Sequence, residues 1–442
     1  MKPIAMRRKR RSLLGSLCLS VVLAGGMLLG SYALAGCGDG RAAAENSGLG
    51  AEVTTLRQAE GPGIFGTVVS QVKNTPDLDP GVMVISVPLN VEWKQPGKLY
   101  GGDAQASVQL GPKDVPGMTQ DAFGARAGIL LPDGRRLLYH FWEQVADFPT
   151  EAPGDPVVEE GTRLSTPTVR MYDLASGADN QVVSGARSMA WRSDGLLAYA
   201  RGVEPDYRYN LPYLQQVIVQ QGLDGPPEAW TAEADCYTVL QWVKDSLLVW
   251  REFPGESGEL LVLSRPGQMT KVLDLGERFL AAGPDGELIL AANSSDTGAP
   301  VIRVIDWEAG GEVARLSLEG VCDPAGGGPI TGVDAAAWEG NTVVAALYPA
   351  QLAVLPVGDG TLRLENVVTF SYPGLLPGSG QDLLLGESAG MVRFVAREGP
   401  GDDKLERTAV ITYDLTSGEC LRWVVPDTEA VTRLVSNPSR PR

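Results

Sequence analysis

The segment "MAWRSDGLLAYA" (189–200) reads as a hairpin: a short apolar strand, a Ser-Asp-Gly reversal and a second apolar strand. Aspartate favours such a reversal because its side chain bonds nearby backbone amides, and glycine accepts the positive φ that ends it. The same layout appears in "LLPDGRRLLYHF" (130–141) and "AAGPDGELILAA" (281–292). Looser copies are "WVKDSLLVWREF" (242–253), "AAWEGNTVVAAL" (336–347) and "LLGESAGMVRFV" (384–395).

A second hairpin follows each of these. Three are "VRMYDLASGADNQVV" (169–183), "VIVQQGLDGPPEAW" (217–230) and "LLVLSRPGQMTKVL" (260–273). The others are "VIRVIDWEAGGEVARL" (301–316), "LAVLPVGDGTLRLENV" (352–367) and "VITYDLTSGECLRWVV" (410–425). Two hairpins make a four-stranded unit. Asp133 and Glu387 hold the same turn position five repeats apart, a mean period of about 51 residues, slightly above the ~40–50 of a propeller blade. The aliphatic runs are short and bounded by turn residues, so the fold class is all-β.

The Pro-Asp-Gly hairpins resemble the WD40-like blades of TolB-type propellers, and "YDLASG" (172–177) and "YDLTSG" (413–418) resemble strand-turn units of YVTN-like and quinoprotein-type blades. The resemblance covers about three quarters of the chain and implies a β-propeller. The Gly-His and Trp-Asp dipeptides of true WD40 repeats are missing, so it reaches the fold only. At the ends, "VTRLVSNPSRPR" (431–442) reads as the first strand of another blade, and "FGTVVSQV" (65–72) and "GVMVISVPLNVEWKQPGKLY" (81–100) supply more strands. Joined, they give a blade built from both termini, which hides open sheet edges. The expectation is seven four-stranded blades over residues 62–442, with six or eight left open.

Ahead of this lies a basic stretch, Lys2 and Arg7 to Arg11, then an uncharged run from Leu13 to Gly36. That order is the mark of a secretory signal. It closes on Leu34-Ala35-Gly36-Cys37, which resembles the lipobox of bacterial lipoproteins. The resemblance implies a signal peptide over 1–36 and acylation of Cys37 as the new N-terminus. Several acyl chains, palmitate among them, hold a protein to a bilayer more firmly than one. Residues 37–61, rich in Ala, Gly, Glu and Ser, read as a flexible tether. The expected location is the extracytoplasmic face of a cell membrane, with inner and outer membrane both open.

The leader carries six basic residues and no acidic one, so its removal takes the formal charge from −17 to about −23. A chain this acidic repels nucleic acid, which is excluded as a partner. Cys236, Cys322 and Cys420 lack metal-ligand spacing and allow at most one disulfide.

Strings that look catalytic lack the context their chemistry needs. "GESAG" (386–390) matches a nucleophile elbow, but that chemistry needs a histidine after the serine and a helix behind it. The single histidine, His140, precedes it, and "MVRFVARE" (391–398) reads as a strand. "GPGIFG" (61–66) formally matches a dinucleotide fingerprint without the flanking strand and helix. His140 alone supports no zinc site or triad and is expected to be packed or at a rim. Asp77, Asp79, Asp402 and Asp403 do not follow calcium-loop spacing and are expected to be solvated. No catalytic residue, metal or cofactor is assigned.

Connections inside each hairpin are tight, whereas those between hairpins are long: 143–168, 201–216, 251–259, 292–300 and 396–408. Strand alternation puts the long ones on one face with the blade-to-blade loops, and function collects on long loops held by a rigid scaffold. "RGVEPDYRYNLPYLQ" (201–215) brings Arg201, Tyr207, Arg208, Tyr209 and Tyr213, with Trp142, Trp250 and Arg251 at neighbouring strand ends. Tyr, Trp and Arg dominate interface hot spots. Packing between blades is the other use these aromatics could have. The leading expectation is a non-catalytic scaffold that binds an envelope or extracellular protein. The alternative is a metal-dependent enzyme or small-ligand binder using the central channel.

Overall fold

Every strand of the structure lies in the second of two compact units, Ser47–Arg442. This computed structural model describes residues 52–56, 65–88, 97–101, 107–111, 124–147, 163–202, 215–232, 234–252, 258–272, 277–283, 286–293, 298–309, 311–326, 328–358, 361–372, 374–375, 381–385, 390–399, 407–425 and 429–437. The expected signal peptide, Cys37, Tyr207, Arg208, Tyr209 and Tyr213 lie outside them, as do Asp402 and Asp403.

The chain opens with β1 (Glu52–Leu56) and β2 (Phe65–Asn74), then β3 (Val82–Pro88), β4 (Lys98–Tyr100) and β5 (Ser107–Gln109). Next come β6 (Gly124–Leu130), β7 (Arg136–Asp147), β8 (Arg163–Asp173) and β9 (Asp179–Ser184), then β10 (Ala186–Trp191), β11 (Leu196–Gly202), β12 (Gln215–Gln221) and β13 (Glu228–Ala229). They are followed by β14 (Cys236–Val243), β15 (Ser246–Glu252), β16 (Glu259–Arg265) and β17 (Gln268–Lys271), then β18 (Arg278–Ala282), β19 (Glu287–Asn293), β20 (Pro300–Asp306) and β21 (Gly311–Ser317). The last third holds β22 (Gly332–Glu339), β23 (Thr342–Tyr348), β24 (Leu352–Gly358), β25 (Thr361–Leu362) and β26 (Asn366–Ser371). It ends with β27 (Gln381–Leu385), β28 (Met391–Glu398), β29 (Arg407–Asp414), β30 (Cys420–Val424) and β31 (Glu429–Ser436). No helix occurs among the described residues.

Four sheets are antiparallel meanders of successive strands: β6 to β9, β10 to β13, β14 to β17 and β18 to β21. A fifth, in the order β31-β3-β4-β5, joins the C-terminal strand to N-terminal ones, as the closing sheet was expected to do. The sixth has eleven strands: β22-β23-β24-β26 and β27 to β30 are linked through β2, with β1 and β25 at its side. Seven separate blades are therefore not what the chain forms. It forms five four-stranded sheets and one large one. The cause is β2, expected in the closing blade, which instead pairs in parallel with β26 through Gly66–Gln71 and with β30 through Val72–Asn74. The tether expectation changes as well, since Glu52–Leu56 inside it forms β1, antiparallel to β2.

Alternation along each strand sends side chains to opposite faces. In β7, Leu137, Tyr139 and Phe141 meet Met83, Ile85 and Leu99 of the closing sheet. Leu138 on the other face meets Met189, Leu197 and Tyr199. Similar apolar layers couple β12 to β14, β16 to β19 and β20 to β23. In the large sheet Val344 and Val368 face Val392 and Phe394, and Val395 and Trp423 then face Val84 and Leu434. The circuit of packed faces closes.

The first strand of every hairpin unit carries one extra residue against its neighbour. These bulges fall at Arg187 of β10, Leu240 of β14, Leu280 of β18, Asp334 of β22 and Thr432 of β31, with equivalents in β6 and β27. A bulge sharpens local twist, which successive sheets need in order to splay apart around a common centre.

Candidate binding face

The tight reversals lie at one end of the sheets. Asp133 accepts the amides of Arg135 and Arg136, and Gly134 and Gly195 hold φ of 65° and 98°, the region that favours glycine. "GESAG" falls between the antiparallel β27 and β28, a strand-to-strand connection unlike an elbow, although 386–389 lie outside the described residues. Tryptophans brace this end. Trp242 carries the Arg192 guanidinium 4.8 Å from its ring centroid and meets Trp230 edge-on. A Cβ on Gly283 would come within 2.8 Å of Trp338.

The opposite end carries the long connections. There the last residues of each second strand stand against the first residues of the strand before it: Trp142 against Gly124, Arg201 against Ala186, Arg251 against Tyr237, and Tyr348 against Gly332. Only the backbone of Trp142 is described. Trp250 turns inward and packs against the apolar layer that holds Leu248 and Leu290. Its ring fills the space over Gly258, where a Cβ would stand 2.5 Å away. Gly258→Ala should therefore cost about 1–3 kcal/mol by overpacking, seen as a lower urea midpoint with an unchanged m-value. A loss under about 0.5 kcal/mol, the range of an ordinary surface change, would show that the ring is free to move.

Arg251 is committed too. It pairs with Glu259, which Lys271 approaches at 3.4 Å, and reaches Asp235 at 3.8 Å. Other carboxylates at this end are also bound. Glu277 pairs with Arg303, Glu398 with Arg422, and Glu429 with Lys98 at 2.6 Å.

What stays presented differs from the sequence-based set. Tyr348 is 52% exposed, and at the same end Arg397 of the large sheet and Arg201 and Arg278 of other sheets are exposed. Neither Arg201 nor Arg278 has an ion-pair partner among the described residues. Asp334, at its bulge, is half-buried, and burial raises its carboxyl above the usual range against the opposing pull of Arg278 and Arg397. Tyr348 was missed because it precedes a short connection, but it ends β23 as Glu252 ends β15, the same number of residues from the tight turn. That equivalence was the available signal.

One further residue differs from expectation. Asp79 is no solvated carboxylate: it is buried, accepting from Arg393 at 3.0 Å and from the Gly81 amide. His140 is packed, with Nε2 buried and unpartnered. Cys236 and Cys420 are buried and lie outside any disulfide, so none joins any two of Cys236, Cys322 and Cys420. No group of three His, Cys, Asp or Glu among the described residues is placed to hold a metal ion.

Four-stranded meanders, a sheet shared by both termini and a closed circuit of packed faces decide the architecture. The fold is a β-propeller. Among solved structures, a prolyl endopeptidase matches at a TM-score of 0.51 and 12% identity, over 79% of this chain and 50% of that one. The β-propeller domain of the Trilobed protease from Pyrococcus furiosus matches at 0.45 and 11% identity, over 81% and 99%. TolB from Acinetobacter baumannii matches at 0.39 and 10%, over 80% and 67%. At these identities the likeness concerns the propeller alone, and the chain spans only half of the prolyl endopeptidase. No protein-family model matches the sequence, and a search of curated proteins finds no match.

Proposed function

We propose that this propeller is a non-catalytic protein-binding module, carried on a lipoprotein anchored through Cys37 at the extracytoplasmic face of a membrane. The observation that carries the binding role is the long-connection end, where Tyr348 is exposed at the end of β23 and Arg201, Arg278 and Arg397 are exposed on other strand ends. Strand ends are rigid, and Tyr and Arg bury large areas while keeping a polar handle. Trp142, Tyr207, Arg208, Tyr209 and Tyr213 would extend this surface. The anchor rests on the basic leader, the uncharged run and Leu34-Ala35-Gly36-Cys37.

The test is a crosslinking pull-down from native membranes with the full chain, Cys37→Ala and Tyr348→Ala. A stoichiometric partner, lost with Cys37→Ala and reduced at least fivefold with Tyr348→Ala, is the expected result. Recovery of the protein alone would sink the reading. A channel ligand is the second reading, favoured by Asp334, whose bulged position and desolvation suit a carboxyl that meets a bound group.

A further inference from the structure

We propose that neighbouring copies of this protein exchange β1, each seating that strand on the β2 edge of the other. This rests on the anchored reading of Cys37, which holds copies side by side on one membrane. Among the described residues β1 pairs with β2 and with no other strand. It covers Phe65–Val69 on the edge turned away from β26. β2 itself is held elsewhere, by β26 along Gly66–Gln71 and by β30 at Val72–Asn74, so it remains as a template when β1 leaves. The backbone groups that β1 satisfies would then be open, and an open strand edge takes up another strand. The connection 57–64 is eight residues long, whereas an ordinary hairpin loop has about two to five. Fully stretched, it reaches about 28 Å.

The place of β1 in the fold makes that edge accessible to a second copy. First strands of successive sheets meet at the centre, β10 with β14, β18 with β22 and β22 with β27. The large sheet runs outward from β22 through β23, β24 and β26 to β2 and β1. At the usual inter-strand spacing, β1 lies about 24 Å from β22, at the rim. The strand a second copy offers there is Glu52–Leu56, the sequence that already fits this edge. Exchange remakes every β1–β2 bond and changes only the cost of the connection, so concentration sets the balance. Fourteen residues, Gly38 to Ala51, join Cys37 to β1. A shared bilayer therefore raises the effective concentration of each arm for its neighbour's edge.

The test co-expresses two differently tagged full-length chains, Glu52→Cys and Val69→Cys, and oxidises them in native membranes. The two positions stand directly opposite in the ladder, and Val69 is 36% exposed, so a thiol there is open to an oxidant. The expected result is a disulfide that links the two tags, because β1 of one chain lies on β2 of the other. Adding Thr54→Pro to the Glu52→Cys chain removes a ladder donor from β1 and should cut that product about fivefold or more. No mixed product would overturn the proposal. So would an equal yield with Thr54→Pro, which marks chance collision. The anchor is read separately, since Cys37→Ala should release the protein from the membrane fraction. If the anchor holds and no mixed product forms, exchange alone falls. If the parent is not retained by the membrane, the anchored reading fails; mixed product from the concentrated chain in detergent then upholds exchange, and its absence sinks it.

Discussion

Glu429→Ala should lower the unfolding free energy by about 3–5 kcal/mol, the cost of breaking a buried ion pair from one side. Glu429 begins β31, the C-terminal strand that closes the propeller against β3. One carboxylate oxygen accepts from Ser86 Oγ at 2.6 Å and Tyr100 OH at 2.9 Å, and the other meets Lys98 Nζ at 2.6 Å. Both hydroxyls are buried. Alanine leaves those donors without this acceptor in a site that water does not reach, so the penalty includes their desolvation. Glu429→Gln keeps an acceptor oxygen and should lose less, about 1–2 kcal/mol. Urea titration followed by tryptophan fluorescence reads the change, since Trp423 lies edge-on to Tyr100 at 5.4 Å. A loss below about 1 kcal/mol for the alanine variant, far under the cost of an uncompensated buried charge, would mean that apolar packing alone holds the closure. The comparison Glu429→Leu/Lys98→Met removes both charges while keeping volume, and should recover the part of the loss that comes from the unpaired Lys98 charge, leaving the cost of the two hydroxyls.

How far the sequence spoke depended on the range of the interaction. The hairpins at Asp133-Gly134 and Asp194-Gly195 were legible because a turn is written in consecutive residues, and their register followed from alternation. The closing sheet was legible from the unpaired strand at 431–436. The path of β2 was not. "FGTVVSQV" (65–72) alternates as any strand does, and nothing in it says that it will pair in parallel with residues 300 positions or more away. That single strand turned an expected seven blades into five sheets and a large one. The rim was half legible. Residue type selected Trp250 and Arg251, but their direction is set by Gly258 and Glu259 across the strand pair. Those two residues draw both side chains inward. Asp79 was misjudged for the same reason, because its partner Arg393 lies 314 residues along the chain.

Acidification should expose the other large term, through His140. This is the only histidine of the chain, and its ring lies buried in β7 with Nε2 unpartnered. Burial, and then repulsion from Arg433, pull its pKa down from 6.5 to about 4. Within that interval the unfolded chain binds a proton that the folded chain refuses. Stability is therefore greatest above pH 6.5 and declines as the pH falls, by up to about 1.4 kcal/mol per pH unit, until the folded ring also titrates near pH 4. The loss accumulated across that window is about 3 kcal/mol. Asp334, with its raised carboxyl, acts in the opposite direction, binding its proton more readily when folded. His140→Phe should thus unfold with a midpoint nearly flat from pH 7 to 5, where the parent loses stability steadily. Arg433→Met should end the decline at a higher pH and make it smaller, because one of the two forces against the imidazolium is gone while burial remains. A parent profile already flat over that range would show that the ring takes up its proton inside the fold, and that water reaches Nε2 at the heart of the first hairpin unit.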